Sequence, residues 1–362
     1  MVILNSLTAT SPGKAILFGE HFVVYGYSSI IFAINKKLGI SISFEHSDKK
    51  TDSKKNKIKL YSNLGFIAEI SDSEINISNN LSSNYIVAKN IKKVIDHLVE
   101  HNSNDISNGN KGDMTIYINS EIPIGGGLGS SSAFCVSLIG AFYHGLAKKI
   151  DKKFICEKSI EIERIINQNT SGVDCNICTF GGLGVYNKLM GFKKLEHDIH
   201  DLPFLIINTG VSHDTSVMID KVKKIKESNT TLFKNLCKEY ERIFSFSIES
   251  LKNKDLRSLG MLMNENHSLL KNLCLSNSVI DKIVTICHLG GTFGTKITGS
   301  GGGGCVLSLI DKDEHSLLNQ LLKKLDELKL TYFFTNSEDS GFKFEKTSSL
   351  YPINNLKGKN II

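Results

Sequence analysis

Residues 122–134 read IPIGGGLGSSSAF, so that Gly125, Gly126, Gly127, Leu128 and Gly129 bring almost no side chain before Ser130, Ser131 and Ser132 open an apolar run. In a loop of this kind backbone N–H groups can turn toward a polyanion. A helix that follows adds its unpaired amides and the positive end of its dipole. The chemistry indicated is phosphate binding, and the three hydroxyls add donors and a candidate metal ligand. A Walker A loop requires lysine directly after its last glycine; serine stands there, which excludes that motif. Gly299, Gly301 and Gly304 spell G-x-G-x-x-G, but the strand-like CVLSLI (305–310) follows where a dinucleotide fold needs a helix.

A second set of chemically capable residues lies in SPGKAILFGEHFVVYG (11–26). Pro12 and Gly13 predict a bend, Lys14 follows, and Glu20 and His21 form a charged pair in a strongly apolar stretch. Polar groups in such surroundings are costly unless they are paired or used. Cys175 and Cys178 form a C-x-x-C pair without a second pair or flanking histidines, which favours core packing over metal or redox chemistry. His213 sits on a loop with no partner at ligand spacing and is assigned no role.

These residues need elements to position them. Segments 39–47, 57–63 and 113–123 alternate apolar and polar positions as half-buried strands do, while 84–102 places Ile86, Val87, Ile91, Val94, Ile95 and Leu98 at helical spacing. Helices are predicted at 130–147, directly after the glycine loop, and at 152–168. The charged, turn-prone KKLEHDIHDLP (193–203) marks a domain boundary. Beyond it a strand at 204–210 precedes helices at 214–226, 231–252, 255–271 and 276–289, a glycine turn into a strand at 294–310, and a helix at 313–328. The pattern is α+β in two domains, 1–195 and 196–362, as suits a chain of 362 residues.

Hydrophobic residues at 41% and charged residues at 22% are ordinary for a globular protein. The net charge of +6 rests on scattered lysines, since Arg164, Arg242 and Arg257 are the arginines, and this argues against a nucleic-acid surface. Eight irregularly spaced cysteines without a leader-like start favour a reducing compartment, and no apolar run approaches the roughly 20 residues of a membrane span. A soluble cytoplasmic protein is expected.

In order and spacing, residues 11–26, 122–134 and 294–305 resemble the three signature motifs of the GHMP small-molecule kinases. GKAILFGEHFVVYG (13–26) and KITGSGGGGC (296–305) are similar to the mevalonate kinase branch. The resemblance implies a ribosomal-protein-S5-like N-terminal domain and a ferredoxin-like C-terminal domain with the active site between them. It further implies that ATP lays its triphosphate along Gly125 to Ser132, and that Mg2+ is held by Ser131 and by Glu163, eleven residues before the aspartate of TSGVD. Asp174 would orient the C5 hydroxyl of mevalonate and take its proton, with Lys14 beside it. Glu20 and His21 resemble the substrate-contacting pair, Gly299 and Gly301 would close the site, and Thr215 would supply a hydroxyl near Asp174. Thr170 replaces the proline of the pattern, a change expected to alter the loop without touching a functional group. A homodimer is usual among such kinases. The alternatives are a related kinase for phosphomevalonate or another alcohol, and a sensor that has lost catalysis.

Overall fold

The computed structural model describes residues 7–46, 57–65, 67–71, 74–78, 82–108, 111–123, 125–167, 170–195, 202–212 and 214–346. Most of the lysine-rich turn at 48–57, residues 196–201 of the expected boundary, Ile124 and His213 lie outside the described residues.

The N-terminal unit holds strands β1 (Leu7–Phe18), β2 (Ser29–His46), β3 (Ile58–Ser62), β4 (Ile67–Ile70) and β5 (Ile75–Ile77). Helices α1 (Ser82–His101) and α2 (Ser103–Asn108), strand β6 (Lys111–Ser120) and helices α3 (Ser130–Gly145), α4 (Lys152–Ile166) and α5 (Val173–Phe180) follow, then β7 (Leu183–Asn187) and β8 (Gly191–Lys194). The C-terminal unit runs β9 (Phe204–Asn208), α6 (Thr215–Ser228), α7 (Thr230–Asn253), α8 (Leu256–Asn272), α9 (Ser278–Leu289), β10 (Gly294–Thr298), β11 (Cys305–Leu309), α10 (His315–Glu327), β12 (Tyr332–Thr335) and β13 (Lys343–Lys346).

The first sheet has the order β13-β1-β2-β6-β3-β4-β5, with β7 and β8 continuing from β2; β3 pairs with β6 in parallel and the other pairs are antiparallel. The second sheet is antiparallel in the order β10-β11-β9-β12, and α8 and α9 pack on it. This is the expected α+β architecture. β1 did not show as a strand in the sequence because it does not alternate: nearly every residue is buried, with α3 and α5 and also α8 and β10 packed against it. The bend expected at Pro12 and Gly13 is a register shift between β1 and β2 instead of a turn.

One crossing departs from the expected division into 1–195 and 196–362. β13 returns to the first sheet, pairing Leu7 with Lys346 through Thr10 with Lys343, and Glu338 bonds both Ala33 and Gly182 through its backbone. The outer edge of β1 needs a partner, and Phe342, buried against Gly140, anchors the returning chain. A four-residue charged strand is too short for periodicity to reveal. No helix of the described residues is long and apolar enough to cross a membrane.

Candidate active site

The glycine loop joins β6 to α3. Gly125, Gly127 and Gly129 have φ of 70°, 72° and 74°, and Gly126 and Leu128 between them do not share that sign. This alternation turns successive backbone N–H groups to one side, a nest for an anion. Helix α3 begins from Gly129 with no side-chain cap, whereas α4 is capped by Asp151, which accepts from the Phe154 amide. The first amides of α3 therefore remain for a ligand. The loop is fixed to β1 by the Lys14 amide donating to the Leu128 carbonyl at 2.9 Å. A Cβ on Gly129 would stand 2.7 Å from Lys14 Cγ, so this glycine lets the lysine stem pass.

Lys14 Nζ lies 3.1 Å from Asp174 Oδ2. The lysine side chain is 5% exposed and the aspartate 28%, which leaves the carboxylate open to a partner in the cleft. Asp174 sits in the first turn of α5, whose cap is Gly172. Sequence separation of 160 residues is thus closed by α5 packing on β1, with Ser11 donating to the Cys178 carbonyl at 2.9 Å. Cys175 and Cys178 are buried, and burial raises both thiols well above their ordinary range.

Glu163, in the last turn of α4, is buried and ringed by neutral donors. Ser132 donates to Oε1; Thr170 Oγ1 donates to Oε2 at 2.6 Å, and Cys175 Sγ approaches Oε2 at 3.5 Å. Burial pushes the carboxyl above the usual range, the bonds from Ser132 and Thr170 pull it back, and the Asp174 charge adds to the rise. The serine that meets Glu163 is Ser132 and not Ser131, which is exposed and lines the cleft. Thr170, expected to leave functional groups alone, bonds this carboxylate directly; its position one turn beyond α4 carries the hydroxyl back to Glu163. A buried carboxylate whose described partners are all uncharged, beside hydroxyls and a phosphate nest, is a donor set that fits a hard divalent cation arriving with a nucleotide.

The C-terminal unit supplies the opposite wall. A Cβ on Gly299 would meet Gly127 Cα at 3.5 Å, so the two glycine loops face each other backbone to backbone. Thr298 Oγ1 bonds both backbone groups of Ile16, at 3.0 and 3.1 Å. His21 Nε2 is 2.8 Å from the Ser300 carbonyl oxygen, and burial lowers the imidazole from its ordinary value. Thr215 opens α6 in the same cleft, but its hydroxyl lies 3.3 Å from Ser300 Oγ, a residue the sequence did not single out. Gly301 packs on Leu275, where a Cβ would stand 2.6 Å from a carbonyl oxygen. The Glu20 carboxylate has other partners than a substrate: Lys296 on β10 pairs with it, and Asn266 Nδ2 donates to it at 3.2 Å. Both side chains of that ion pair are fully buried. A lysine inside the apolar KITGS segment was the available signal for Lys296; its meeting with Glu20 was not.

Between the walls lies a cleft of about 390 Å3, lined by Lys14, Glu20, His21, Gly125 to Ser132, Glu163, Thr170, Asp174, Thr215, Gly299 and Ser300 among others. Lys14 is the one lysine or arginine among its described lining residues. A neighbouring apolar recess of about 410 Å3 shares Gly125, Ser130 and Ser131 with it and is lined by Leu38, Leu64, Val87, Ile91, Phe134 and Ile166. A flat apolar ring and a polyphosphate joined to it could lie across the two.

Known proteins resemble this chain in sequence and fold. The family model of the GHMP kinases N terminal domain matches residues 89–182, and that of the GHMP kinases C terminal matches 247–327. The mevalonate kinase of Pyrococcus furiosus is 30% identical over 307 residues, 83% of this chain and 88% of that protein. The crystal structure of Methanococcus jannaschii mevalonate kinase superposes with a TM-score of 0.73 at 30% identity, covering 91% of this chain and 98% of that one. Streptococcus pneumoniae phosphomevalonate kinase shares the fold at a TM-score of 0.66 and 15% identity, covering 91% of this chain and 99% of that one.

Proposed function

The chain belongs to the GHMP kinase family, in its mevalonate kinase branch, and on that premise we propose that it transfers the γ-phosphoryl group of ATP to the C5 hydroxyl of mevalonate. The observation that carries the reading is the Lys14–Asp174 pair at 3.1 Å beside the glycine nest. In the transfer the substrate oxygen forms a bond to the γ-phosphorus, the bond from that phosphorus to the ADP oxygen breaks, and the hydroxyl proton passes to the Asp174 carboxylate. Lys14 holds Asp174 in place and offers its ammonium to the charge of the transferring group. The amides of Gly125 to Gly129 and the head of α3 bind the triphosphate, with Ser130 at the helix start, and the apolar recess takes the adenine.

Glu163 and Ser131 would hold Mg2+, which would neutralise phosphate charge when bound; Ser132 orients the Glu163 carboxylate. His21, Thr215, Ser300 and Gly299 face the substrate, Gly301 supports their loop from its packing on Leu275, and Glu20 positions His21 from its place on Lys296. Among the described lining residues one lysine suits the transferring phosphoryl group and no second lysine or arginine awaits a phosphate on the acceptor, which favours mevalonate over phosphomevalonate. A cytoplasmic location is proposed with this reading, and the eight free cysteines suit a reducing compartment. A homodimer is proposed with this reading, and sedimentation at micromolar concentration measures it.

The test incubates the protein with ATP and Mg2+ and, separately, mevalonate, phosphomevalonate, homoserine or galactose. ADP release with mevalonate, and a phosphorus NMR signal of a C5 phosphomonoester, is the expected result. Preference for another acceptor, or no ADP with any, would overturn the assignment.

A further inference from the structure

Thr170 occupies a place in the site that the signature motifs do not account for. Its Oγ1 donates to Glu163 Oε2 at 2.6 Å, and the same oxygen accepts from the Gly172 amide at 3.3 Å. Gly172 is the cap residue of α5, two positions before Asp174. The Thr170 amide donates to the Asn167 carbonyl at 3.2 Å, and the Asn167 amide to the Glu163 carbonyl at 2.7 Å, so the backbone of this turn hangs from the end of α4. One hydroxyl therefore joins the buried carboxylate at the end of α4 to the helix start that carries the carboxylate facing Lys14.

We propose that Thr170 is a positioning residue for the divalent cation: its hydroxyl fixes the Glu163 carboxylate and ties it to the turn that sets Asp174. The inference rests on the reading of Glu163 as a metal ligand. Ser132 on α3 restrains one carboxylate oxygen and Thr170 the other, so both oxygens are oriented at the wall of the cleft that Glu163 lines. Without the Thr170 hydroxyl, Oε2 keeps only the long, weak contact from Cys175 Sγ at 3.5 Å, and the carboxylate is held firmly from one side alone. Partners that orient a metal ligand in this way are worth about 10- to 100-fold in metal affinity. Proline at this position would lack both the hydroxyl and the amide hydrogen, so the bonds to Glu163 and to the Asn167 carbonyl are alternatives to proline's rigidity in shaping the turn.

The experiment measures Mn2+ binding to the full chain in the presence of ADP, without turnover, from the free-Mn2+ electron paramagnetic resonance signal. It uses wild type, Thr170→Val, Thr170→Ser and Glu163→Gln, with metal-free ADP affinity measured alongside by calorimetry. Thr170→Val is expected to weaken Mn2+ binding about tenfold with metal-free ADP affinity unchanged, and Thr170→Ser to restore it to within about twofold of wild type. Unchanged Mn2+ binding in Thr170→Val, with loss in Glu163→Gln, overturns the role of Thr170 alone. Unchanged binding in Glu163→Gln overturns the metal reading itself. Equal loss of metal-free ADP binding in Thr170→Val shows a turn that has merely collapsed, and also overturns the proposal. Should valine prevent folding, Thr170→Ala replaces it under the same criteria.

Discussion

Two lysine–carboxylate pairs border one cleft and differ in what surrounds them. Lys14 reaches Asp174 with the aspartate 28% exposed, and the carboxylate opens on the space where a hydroxyl would lie. Lys296 and Glu20 have no exposed side-chain surface, Asn266 donates to the carboxylate, and the ammonium also donates to the Ile297 carbonyl at 2.7 Å. The chemistry of the side chains is the same; access to solvent and ligand is not. The first pair is placed to act on a substrate. The second joins β10 of one unit to the turn after β1 of the other, and so sets the distance between the walls that the first pair works in.

The largest effect expected from this contrast is on stability. Lys296→Met leaves the Glu20 carboxylate buried without a cation, a change that costs about 3–5 kcal/mol. Urea unfolding of the variant measures it, and Lys296→Met combined with Glu20→Gln should recover a substantial part. If Lys296→Met instead left stability within about 0.5 kcal/mol and only raised KM for mevalonate, the two pairs would not differ in kind.

Asp174→Asn probes the other pair. Turnover should fall at least about a hundredfold, on the order of 3 kcal/mol, with ATP affinity and the unfolding midpoint nearly unchanged. A loss of ATP binding of similar size would make Asp174 as structural as Glu20.

The buried pair also has a pH signature through its neighbour. His267 on α8 is lowered to about 4 by burial first, with the Lys296 charge on β10 next; Lys271 on α8 and His288 on α9 lower it further, and Asp281 on α9, 4.0 Å away, opposes them. Its two ring nitrogens have no hydrogen-bond partner among the described residues. The folded state thus keeps His267 neutral while the unfolded chain takes up a proton near 6.5. Stability should fall as pH drops from 6.5 toward 4 and level off below, with about 1.5 kcal/mol lost by pH 5. In His267→Gln this part of the pH dependence should vanish; its persistence would assign the loss to other groups.

How much of this was legible beforehand follows the same division. The glycine loop, Lys14, Glu163 and Asp174 could be named because motif spacing is a local property, and the structure brings all of them to one cleft. Most helices were legible too: α7 shows its buried stripe at a period of 3.6, and in α1 Ile91, Val94, Ile95 and Leu98 are buried, while Ile86 and Val87 are exposed, Val87 lining the apolar recess. What could not be read depends on distant contacts. The pairing of Glu20 was hidden because its partner, Lys296, stands 276 residues away on β10. Ser131 and Ser132 are neighbours that differ by one step of helix rotation, about 100°, so sequence alone could not say which meets Glu163. The bond from Thr170 to Glu163 and the strand β13 stayed hidden for a related reason: a lone hydroxyl in a turn and a four-residue strand have no periodicity to read.

The smallest effect separates shape from charge within the phosphate loop. At Gly127 an added Cβ would meet only ordinary contacts, 3.6 Å to the Thr298 carbonyl oxygen and 3.7 Å to Gly299 Cα. The cost of Gly127→Ala is therefore the backbone conformation at φ of 72°, about 1 kcal/mol. It should appear as about a fivefold rise in KM for ATP, because flattening the nest turns an amide away from the phosphates, while kcat changes little. Gly129→Ala meets Lys14 Cγ at 2.7 Å and disturbs the Lys14–Asp174 pair, so it should lower kcat as well. If the two alanines behaved alike, the loop would act as one rigid cradle. If only Gly129→Ala reached kcat, phosphate binding and the placement of the acting ion pair would be separable functions of residues two positions apart.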